Sequence, residues 1–108
     1  MEQIVIRQEL LNKLDELIKV LFENGYFSYY KDAEQYVDNI RMFIKSIPQQ
    51  RIKPTLIKTY GAYYCQYKPN KHTTWYITFD TNGKTWLIKN IFNNHTKDYP
   101  RYIGSLEA

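Results

Sequence analysis

The hydrophobic positions in the first part of the chain recur every three or four residues, which is the spacing of one face of an α-helix. The first such run extends from Leu10 to Phe22, with charged residues mostly between the apolar ones. Asn24-Gly25 follows directly, and glycine tolerates the left-handed backbone conformation in which helices commonly end. Residues 3–6 precede the run and are mostly β-branched. The pattern predicts a short strand followed by an amphipathic helix.

A second run with the same spacing extends from Ala33 to Ile47. Asp32 and Gln35 at its start have the spacing of a capping box, in which the first side chain accepts backbone N–H groups of the opening turn. Pro48 has no backbone N–H to donate and therefore ends the run. We expect a second amphipathic helix here, followed by a polar connector.

From Thr59 onward the hydrophobic period changes to two, which is the period of a β-strand. Asn82-Gly83 lies between two such runs and predicts a two-residue type I′ hairpin, because both residues tolerate positive φ. That loop would pair Phe79 with Trp86. A third strand over residues 60–67 is expected to join the hairpin through a turn at residues 68–71.

This register gives the hairpin one apolar face and one more polar face. The face predicted to cover the helices comprises Trp75, Ile77, Phe79, Trp86 and Ile88. The opposite face comprises Thr74, Tyr76, Thr78, Thr85, Leu87, Lys89 and Ile91. We therefore expect a single α+β domain over residues 1–108, in which two N-terminal helices pack on a small antiparallel sheet in the order β-α-α-β-β-β.

Composition limits the class of protein further. The 108 residues suffice for one domain. The single cysteine, Cys65, cannot form an intrachain disulfide, and its mid-strand position is typical of a small buried hydrophobe. The N-terminus lacks the pattern of a signal peptide, and no apolar run approaches the ~20 residues of a membrane span. We expect a soluble cytoplasmic protein without a membrane partner.

The formal net charge of +4 is distributed unevenly along the chain. Residues 1–50 contain six basic and eight acidic side chains, whereas residues 51–108 contain nine basic and three acidic ones. A basic half of this kind favours an anionic partner, such as nucleic acid, an acidic protein segment or a phosphorylated ligand. A solvated basic face without a ligand would have the same composition.

Candidate chemistry is concentrated in that basic half. Two histidines and one cysteine without CxxC or HExxH spacing do not predict a metal site, and we expect no cofactor. Basic, tyrosine and histidine side chains can instead neutralise phosphate, stack on an unpaired base and exchange a proton. Cleavage of RNA through its 2′-hydroxyl needs only these residue types. The candidates are Tyr76, Lys89, His95, Tyr99, Arg101 and Tyr102, together with Lys68 and Lys71 at the meander turn.

Each candidate also has a purely structural interpretation. Lys89 can form a solvated cross-strand pair with Tyr76, and His95 can cap a turn through its ring. Tyr99 and Tyr102 can pack the tail against the sheet. The connector between the helices raises a similar choice between core packing and a partner contact, because it contains Tyr26, Phe27, Tyr29 and Tyr30.

The order of these elements resembles the RelE/ParE superfamily of type II toxins. The matching segments are residues 4–6 with 10–22, 61–64, 73–79 and 88–95. The resemblance implies helices packed on one sheet face, and either ribosome-dependent cleavage of mRNA or, in the ParE branch, inhibition of DNA gyrase. It also implies a cognate antitoxin whose acidic or amphipathic C-terminal segment wraps around the toxin.

For this chain the resemblance implies a metal-independent endoribonuclease that acts on mRNA in the ribosome. Lys89 would stabilise the phosphate, His95 would exchange the proton, and Tyr99 or Tyr102 would position the nucleotide. Nuclease members usually carry an arginine early on the third strand, where this chain has Thr74. That difference favours the alternative of a non-enzymatic gyrase inhibitor. A non-toxic protein-binding module of the same fold is a third possibility.

Overall fold

A computed structural model describes residues 3–56 and 61–95 of the chain. Its elements, in chain order, are β1 (Gln3–Ile6), α1 (Gln8–Glu23), α2 (Tyr30–Lys45), a short 3-10 helix (Ile47–Gln49), β2 (Lys53–Pro54), β3 (Tyr63–Asn70), β4 (Thr73–Thr81) and β5 (Thr85–Asn93). The predicted α+β class is confirmed, with both helices and all three strands of the meander present. Neither described helix is long and apolar enough to cross a membrane.

The strands form one five-stranded sheet in the order β1-β5-β4-β3-β2. β3, β4 and β5 are the antiparallel meander that the period-two pattern predicts. β1 lies parallel to β5, so the expectation of a purely antiparallel sheet was wrong at that edge. A parallel pair needs a crossover connection. Both helices lie within the connection from β1 to β5 and pack on one face of the sheet.

The turn between β4 and β5 differs from the predicted type I′ turn. Asn82 Oδ1 accepts hydrogen bonds from the backbone N–H groups of Lys84 and Thr85, each at 2.9 Å. Of the residues in this turn, only Gly83 has a positive φ, of 91°. A type I′ turn needs positive φ at both central residues. Here the side chain of Asn82 closes the turn instead, as asparagine commonly does in loops.

This turn shifts the pairing of the hairpin by two residues. Phe79 pairs with Ile88, where the two-residue loop predicted Trp86. Because side chains alternate with a period of two, an even shift keeps the predicted apolar face towards the helices. A β-bulge follows at once, in which Lys89 is the extra residue on β5.

The bulge changes which face the second half of β5 presents. Ile91 pairs with Ile77 and belongs to the core between the helices and the sheet. Uniform alternation placed Ile91 on the opposite face, which was wrong because one extra residue inverts the alternation. The predicted pairing of Lys89 with Tyr76 was wrong because the turn shifts the pairing by two residues and the bulge adds one more. Tyr76 pairs with Phe92 instead.

A side chain from α1 reaches the outer edge of β5. β1 pairs with β5 only as far as Ile88. Lys13 donates a hydrogen bond from Nζ to the Ile91 carbonyl at 2.9 Å, beyond the end of that pairing. The bond satisfies a backbone acceptor that β1 does not reach. Burial of the ammonium group lowers the pKa of Lys13.

The core is built from one face of each helix and the helix-facing side of the sheet. Its most buried members include Leu14, Val37, Ile40, Ile44, Ile77, Phe79 and Ile88. α2 begins at Tyr30 without a side-chain cap, so the predicted capping box at Asp32 and Gln35 was wrong. Asp32 lies in the first turn instead, where a negative charge interacts favourably with the helix dipole.

The predicted end of the first helix at Asn24-Gly25 is confirmed. Gly25 has a φ of 76°. Its N–H donates to the Phe22 carbonyl at 3.1 Å, and the N–H of Tyr26 donates to the Leu21 carbonyl at 3.0 Å. These two bonds are those of a Schellman motif. The motif fixes the direction in which the chain leaves α1 and so the position of Tyr26.

Gly61 lies where the chain enters the sheet before β3. Its carbonyl accepts a hydrogen bond from Thr55 Oγ1 at 2.7 Å. Its φ is 144°, and a Cβ atom built on it would lie 2.8 Å from the backbone nitrogen of Phe79. Because that neighbour is backbone of the central strand, it cannot move aside cheaply.

We expect Gly61→Ala to lower the free energy of unfolding by about 2–4 kcal/mol, because the substitution adds a backbone clash to an unfavourable φ. Gly25→Ala is the matched control, since Gly25 also has a positive φ but nothing lies within 4 Å of its Cβ position. The control should cost about 1 kcal/mol. Urea denaturation followed by tryptophan fluorescence measures both values. Equal costs would contradict the close packing of Gly61 against β4.

Candidate functional site

The end of the sheet at which β3 turns into β4 also receives the last residues of β5. Asn94 exchanges two hydrogen bonds with Thr74: its N–H donates to the Thr74 carbonyl at 3.2 Å, and its Oδ1 accepts from the Thr74 N–H at 3.1 Å. Asn94 Nδ2 also donates to the carbonyl of His72 at 3.0 Å. These bonds fix the chain that leaves β5 against the β3–β4 turn, with His95 next in sequence.

The ring of His95 contacts the same turn. Its Nε2 lies 3.1 Å from the His72 carbonyl oxygen and 3.3 Å from Thr73 Oγ1. A carbonyl oxygen can only accept a hydrogen bond, so Nε2 carries the proton and Nδ1 of the neutral ring holds the lone pair. The interpretation of His95 as a residue that caps a turn therefore holds for Nε2, which donates to the His72 carbonyl. Nδ1 is the ring atom that can accept a proton from another molecule.

The β3–β4 turn carries exposed basic side chains. Asn70 Oδ1 accepts from the backbone N–H groups of His72 and Thr73, at 2.9 and 3.0 Å, and closes the turn. Lys71 and His72 at its tip are exposed, as is Lys68 near the end of β3. Three predicted site residues, Lys68, Lys71 and His95, thus lie at one end of the sheet. We call residues 68–72 with His95 the basic turn.

Lys89 lies at the other end of the meander. Its Nζ forms an ion pair with Asp80 Oδ2 at 3.4 Å, and Asp80 Oδ1 accepts from the Ala62 N–H at 2.7 Å. At a rise of about 3.3 Å per residue along β4, Asp80 is more than about 20 Å from Thr73, which His95 contacts. The structure therefore does not bring Lys89 and His95 to one phosphate.

Tyr76 does not lie on an open polar surface. Its side chain is on the sheet face opposite the helices, and the residue is only 7% exposed. Its ring stacks on Phe92 with centroids 5.2 Å apart. Tyr64 and Thr78 on the same face are buried as well. The centre of the face predicted to be polar is therefore packed.

The remaining predicted residues, Tyr99, Arg101 and Tyr102, lie outside the described residues. Their predicted roles, catalytic for the two tyrosines and RNA-binding for Arg101, stay predictions.

A cleft of about 550 Å³ opens beside the basic turn, between the corner joining the helices and the end of the sheet. Its walls are largely aromatic and its edge near the turn is polar. The lining residues are Leu17, Leu21, Tyr26, Phe27, Tyr36, Asn70, Thr73, Trp75, Asn93 and His95. We call it the aromatic cleft. No local sequence pattern predicts this cleft, because its members come from five separate segments.

The inner wall of the aromatic cleft is held together by a hydrogen bond between a core residue, Trp75, and Tyr36, which packs against the core. Trp75 Nε1 donates to the Tyr36 hydroxyl at 3.0 Å. Tyr36 also packs against Phe27, with ring centroids 5.5 Å apart. Burial raises the pKa of Tyr36, opposed in part by the hydrogen bond from Trp75. The wall is thus formed without any ligand.

Of the four aromatic residues in the connector between the helices, some pack in the core and others are exposed to solvent, where a partner could contact them. Phe27 packs against the core. Tyr26 and Tyr29 are each 71% exposed, and Tyr30 is 46% exposed. Tyr26 borders the aromatic cleft, whereas Tyr29 is not among its lining residues. Core packing therefore accounts for one of the four.

Cys65 is buried in the core, as its position in a strand predicted. Burial raises the pKa of its thiol to about 12. A thiol with that pKa is scarcely ionised at neutral pH, so Cys65 is a poor nucleophile. Within residues 3–56 and 61–95, no three histidine, cysteine, aspartate or glutamate side chains lie together as potential metal ligands.

The chain matches no protein-family model, and comparisons with curated proteins and with solved structures give no significant match. The chemistry of the described residues is therefore the basis for inferring a function.

We expect Tyr36→Phe to lower the free energy of unfolding at pH 7 by about 1 kcal/mol, because the Trp75 N–H loses its acceptor. The pKa of Tyr36 is raised in the folded state, so its contribution is complete below the ordinary tyrosine pKa of ~10 and is lost as the pH rises through the higher value. Urea denaturation of the original chain and of Tyr36→Phe at pH 7 and at pH 11 should show a smaller difference between their free energies of unfolding at pH 11. A constant difference would contradict the raised pKa of Tyr36, and equal free energies of unfolding at pH 7 would contradict the assigned hydrogen bond.

A thiol reagent such as dithionitrobenzoate should react with Cys65 more than ~1000-fold more slowly in native protein than in urea, because the buried thiol becomes accessible only on opening. Measuring the release of the coloured thiolate at pH 8 tests this, with the urea-unfolded chain as control. Rapid native labelling would show that β3 is not held in the sheet as described.

Proposed function

We propose that this chain is a toxin of the RelE/ParE kind that acts in the cytoplasm as an endoribonuclease on mRNA in the ribosome. The observation that carries the proposal is the basic turn. It combines a histidine with one nitrogen available for proton exchange and exposed cations that can bind phosphate. The excess of basic side chains in residues 51–108 supports a polyanionic substrate.

In this proposal, His95 Nδ1 accepts the proton of a ribose 2′-hydroxyl while that oxygen bonds to phosphorus. The bond from phosphorus to the 5′ oxygen breaks, and the imidazolium returns the proton to that leaving oxygen. The products are a 2′,3′-cyclic phosphate and a 5′-hydroxyl. Lys71 and Lys68 neutralise the charge on the phosphate. Because Lys89 lies about 20 Å away, the proposal assigns the phosphate to Lys71 in its place.

The same basic surface suits a second anionic partner. A cognate antitoxin with an acidic segment would neutralise Lys68 and Lys71 and cover His95, so that inhibition and substrate exclusion would follow from one contact.

A second candidate function is the inhibition of DNA gyrase by binding. The separation of Lys89 from His95 favours it, because the described residues do not form a nuclease centre from both predicted catalytic side chains. Inhibition by binding requires only a complementary surface. The exposed tyrosines of the connector between the helices provide apolar contact area for a protein partner.

Inducible expression in a bacterial host, with growth and mRNA 5′ ends recorded, tests the proposal. We expect growth arrest and new 5′ ends within translated regions. His95→Ala should reduce cleavage by about 100-fold or more, the usual contribution of a general acid–base group. Lys71→Ala should reduce it by about tenfold, since one phosphate contact is lost.

Two lysine variants serve as controls for the loss of one positive charge. Lys84→Ala removes an exposed cation from the β4–β5 turn, and Lys89→Ala removes the cation paired with Asp80. Both should leave cleavage within about twofold of the original chain. Loss of cleavage in Lys89→Ala alone would refute the assignment to the basic turn. Growth arrest with unchanged mRNA ends and persistent gyrase–DNA complexes would replace the nuclease by the gyrase inhibitor.

A further inference from the structure

The aromatic cleft has the dimensions and lining of a ligand site. Its volume of about 550 Å³ lies within the range of small-ligand pockets, which combine apolar walls with a few polar groups that fix orientation. The described lining contains no carboxylate. The adjoining basic turn adds the exposed cation of Lys71 directly beside Asn70. The electrostatic environment therefore favours an anionic ligand over a cationic one.

The polar edge of the cleft presents specific hydrogen-bonding atoms. Asn70 Oδ1 already accepts hydrogen bonds from two backbone N–H groups. The Nδ2 group of the same amide is therefore the part that can donate to a ligand. His95 Nε2 is occupied by the His72 carbonyl, which leaves Nδ1 as an acceptor. The amide donor of Asn70 can bind an acceptor on the edge of a nucleobase, while His95 Nδ1 at the same edge of the cleft stays available for the ribose 2′-hydroxyl in the proposed reaction.

The walls supply surfaces for stacking. Trp75, Tyr36 and Phe27 are fixed by their contacts with one another. Tyr26 at the mouth is held at its backbone by the Schellman motif, while its side chain is 71% exposed. Aromatic side chains of this kind bind unpaired bases by stacking, and a preformed site loses little conformational entropy on binding.

We propose that the aromatic cleft binds one unpaired base of single-stranded RNA, with Tyr26 stacked on the base and the attached phosphate at Lys71. The assignment of RNA as the source of the base rests on the proposed function. It deepens that function by naming a site for a nucleotide next to His95. Double-stranded RNA does not fit, because its bases are paired and stacked within the helix.

The test is fluorescence anisotropy of the full-length chain with a short labelled single-stranded RNA of mixed sequence at low salt, at which phosphate contacts are strongest. Tyr26→Ala should weaken binding by about tenfold, since a stacked base is lost. Tyr29→Ala is the matched control, because Tyr29 has the same 71% exposure but does not line the cleft. It should change the affinity by less than about twofold. Circular dichroism confirms that both variants fold.

A second arm uses an RNA of the same length in which every residue is abasic, and a third uses free nucleoside monophosphates. The abasic RNA should bind the original chain about tenfold more weakly than the intact RNA, because the cleft has no base to stack, and it should bind Tyr26→Ala about as well as the intact RNA does. Monophosphates that compete as strongly as the RNA would make a free nucleotide the ligand and overturn the assignment to RNA. Equal losses in Tyr26→Ala and Tyr29→Ala, or no RNA binding, would overturn the proposal.

These outcomes are separate from those of the cleavage experiment. RNA binding that depends on Tyr26, with unchanged mRNA ends in cells, would uphold the cleft and refute the nuclease. Cleavage that depends on His95, with no effect of Tyr26→Ala on RNA binding, would uphold the nuclease and refute the cleft.

Discussion

β4 runs through the middle of the sheet, paired on both sides and buried on both faces over residues 75–79. Trp75, Ile77 and Phe79 face the helices, whereas Tyr76 and Thr78 face the other way. A slip of β4 by one residue would turn Trp75, Ile77 and Phe79 away from the helices and place Tyr76 and Thr78 in the core in their stead. Its register therefore fixes both ends of the meander relative to each other.

This rigidity determines how chemistry can be assigned. Thr73 at the start of β4 holds the ring of His95, and Asp80 near its end holds Lys89. Because β4 is paired on both sides and buried on both faces, no small adjustment brings the two ends together. A reaction that needs a histidine and a lysine on one phosphate must take both from the same end. The basic turn meets that condition, whereas Lys89 pairs with Asp80, which also accepts a hydrogen bond from the Ala62 N–H at the entry to β3.

The period of the hydrophobic pattern allowed the helices, the meander strands and the apolar hairpin face to be predicted, because those features depend on local alternation. The bulge has no such local signal: Leu87, Ile88, Ile91 and Phe92 are all apolar, so alternation alone does not show that Ile88 and Ile91 share the core.

Other features depend on contacts that no local pattern contains. Asn-Gly is compatible with several turns, and the side chain of Asn82 decided between them. The start of α2 at Tyr30 lies before the residues with the best capping sequence, because packing can override a local cap. The aromatic cleft arises only when the helix corner reaches the β3–β4 turn. The only feature of the sequence that pointed to the cleft was the number of aromatic residues in the short connector between α1 and α2.

The cleft is formed largely by residues that also stabilise the fold. Trp75 belongs to the core and Tyr36 packs against it, and a partly buried hydrogen bond joins the two, so removing either one alters the free energy of unfolding together with any binding. Tyr26 is different, because its backbone is fixed by the end of α1 while its ring is mostly in solvent. An exposed aromatic ring held in place by the backbone contributes little to folding. Its contribution to a ligand can therefore be measured separately from its contribution to stability, which makes Tyr26 the residue that distinguishes a binding cleft from a packing defect.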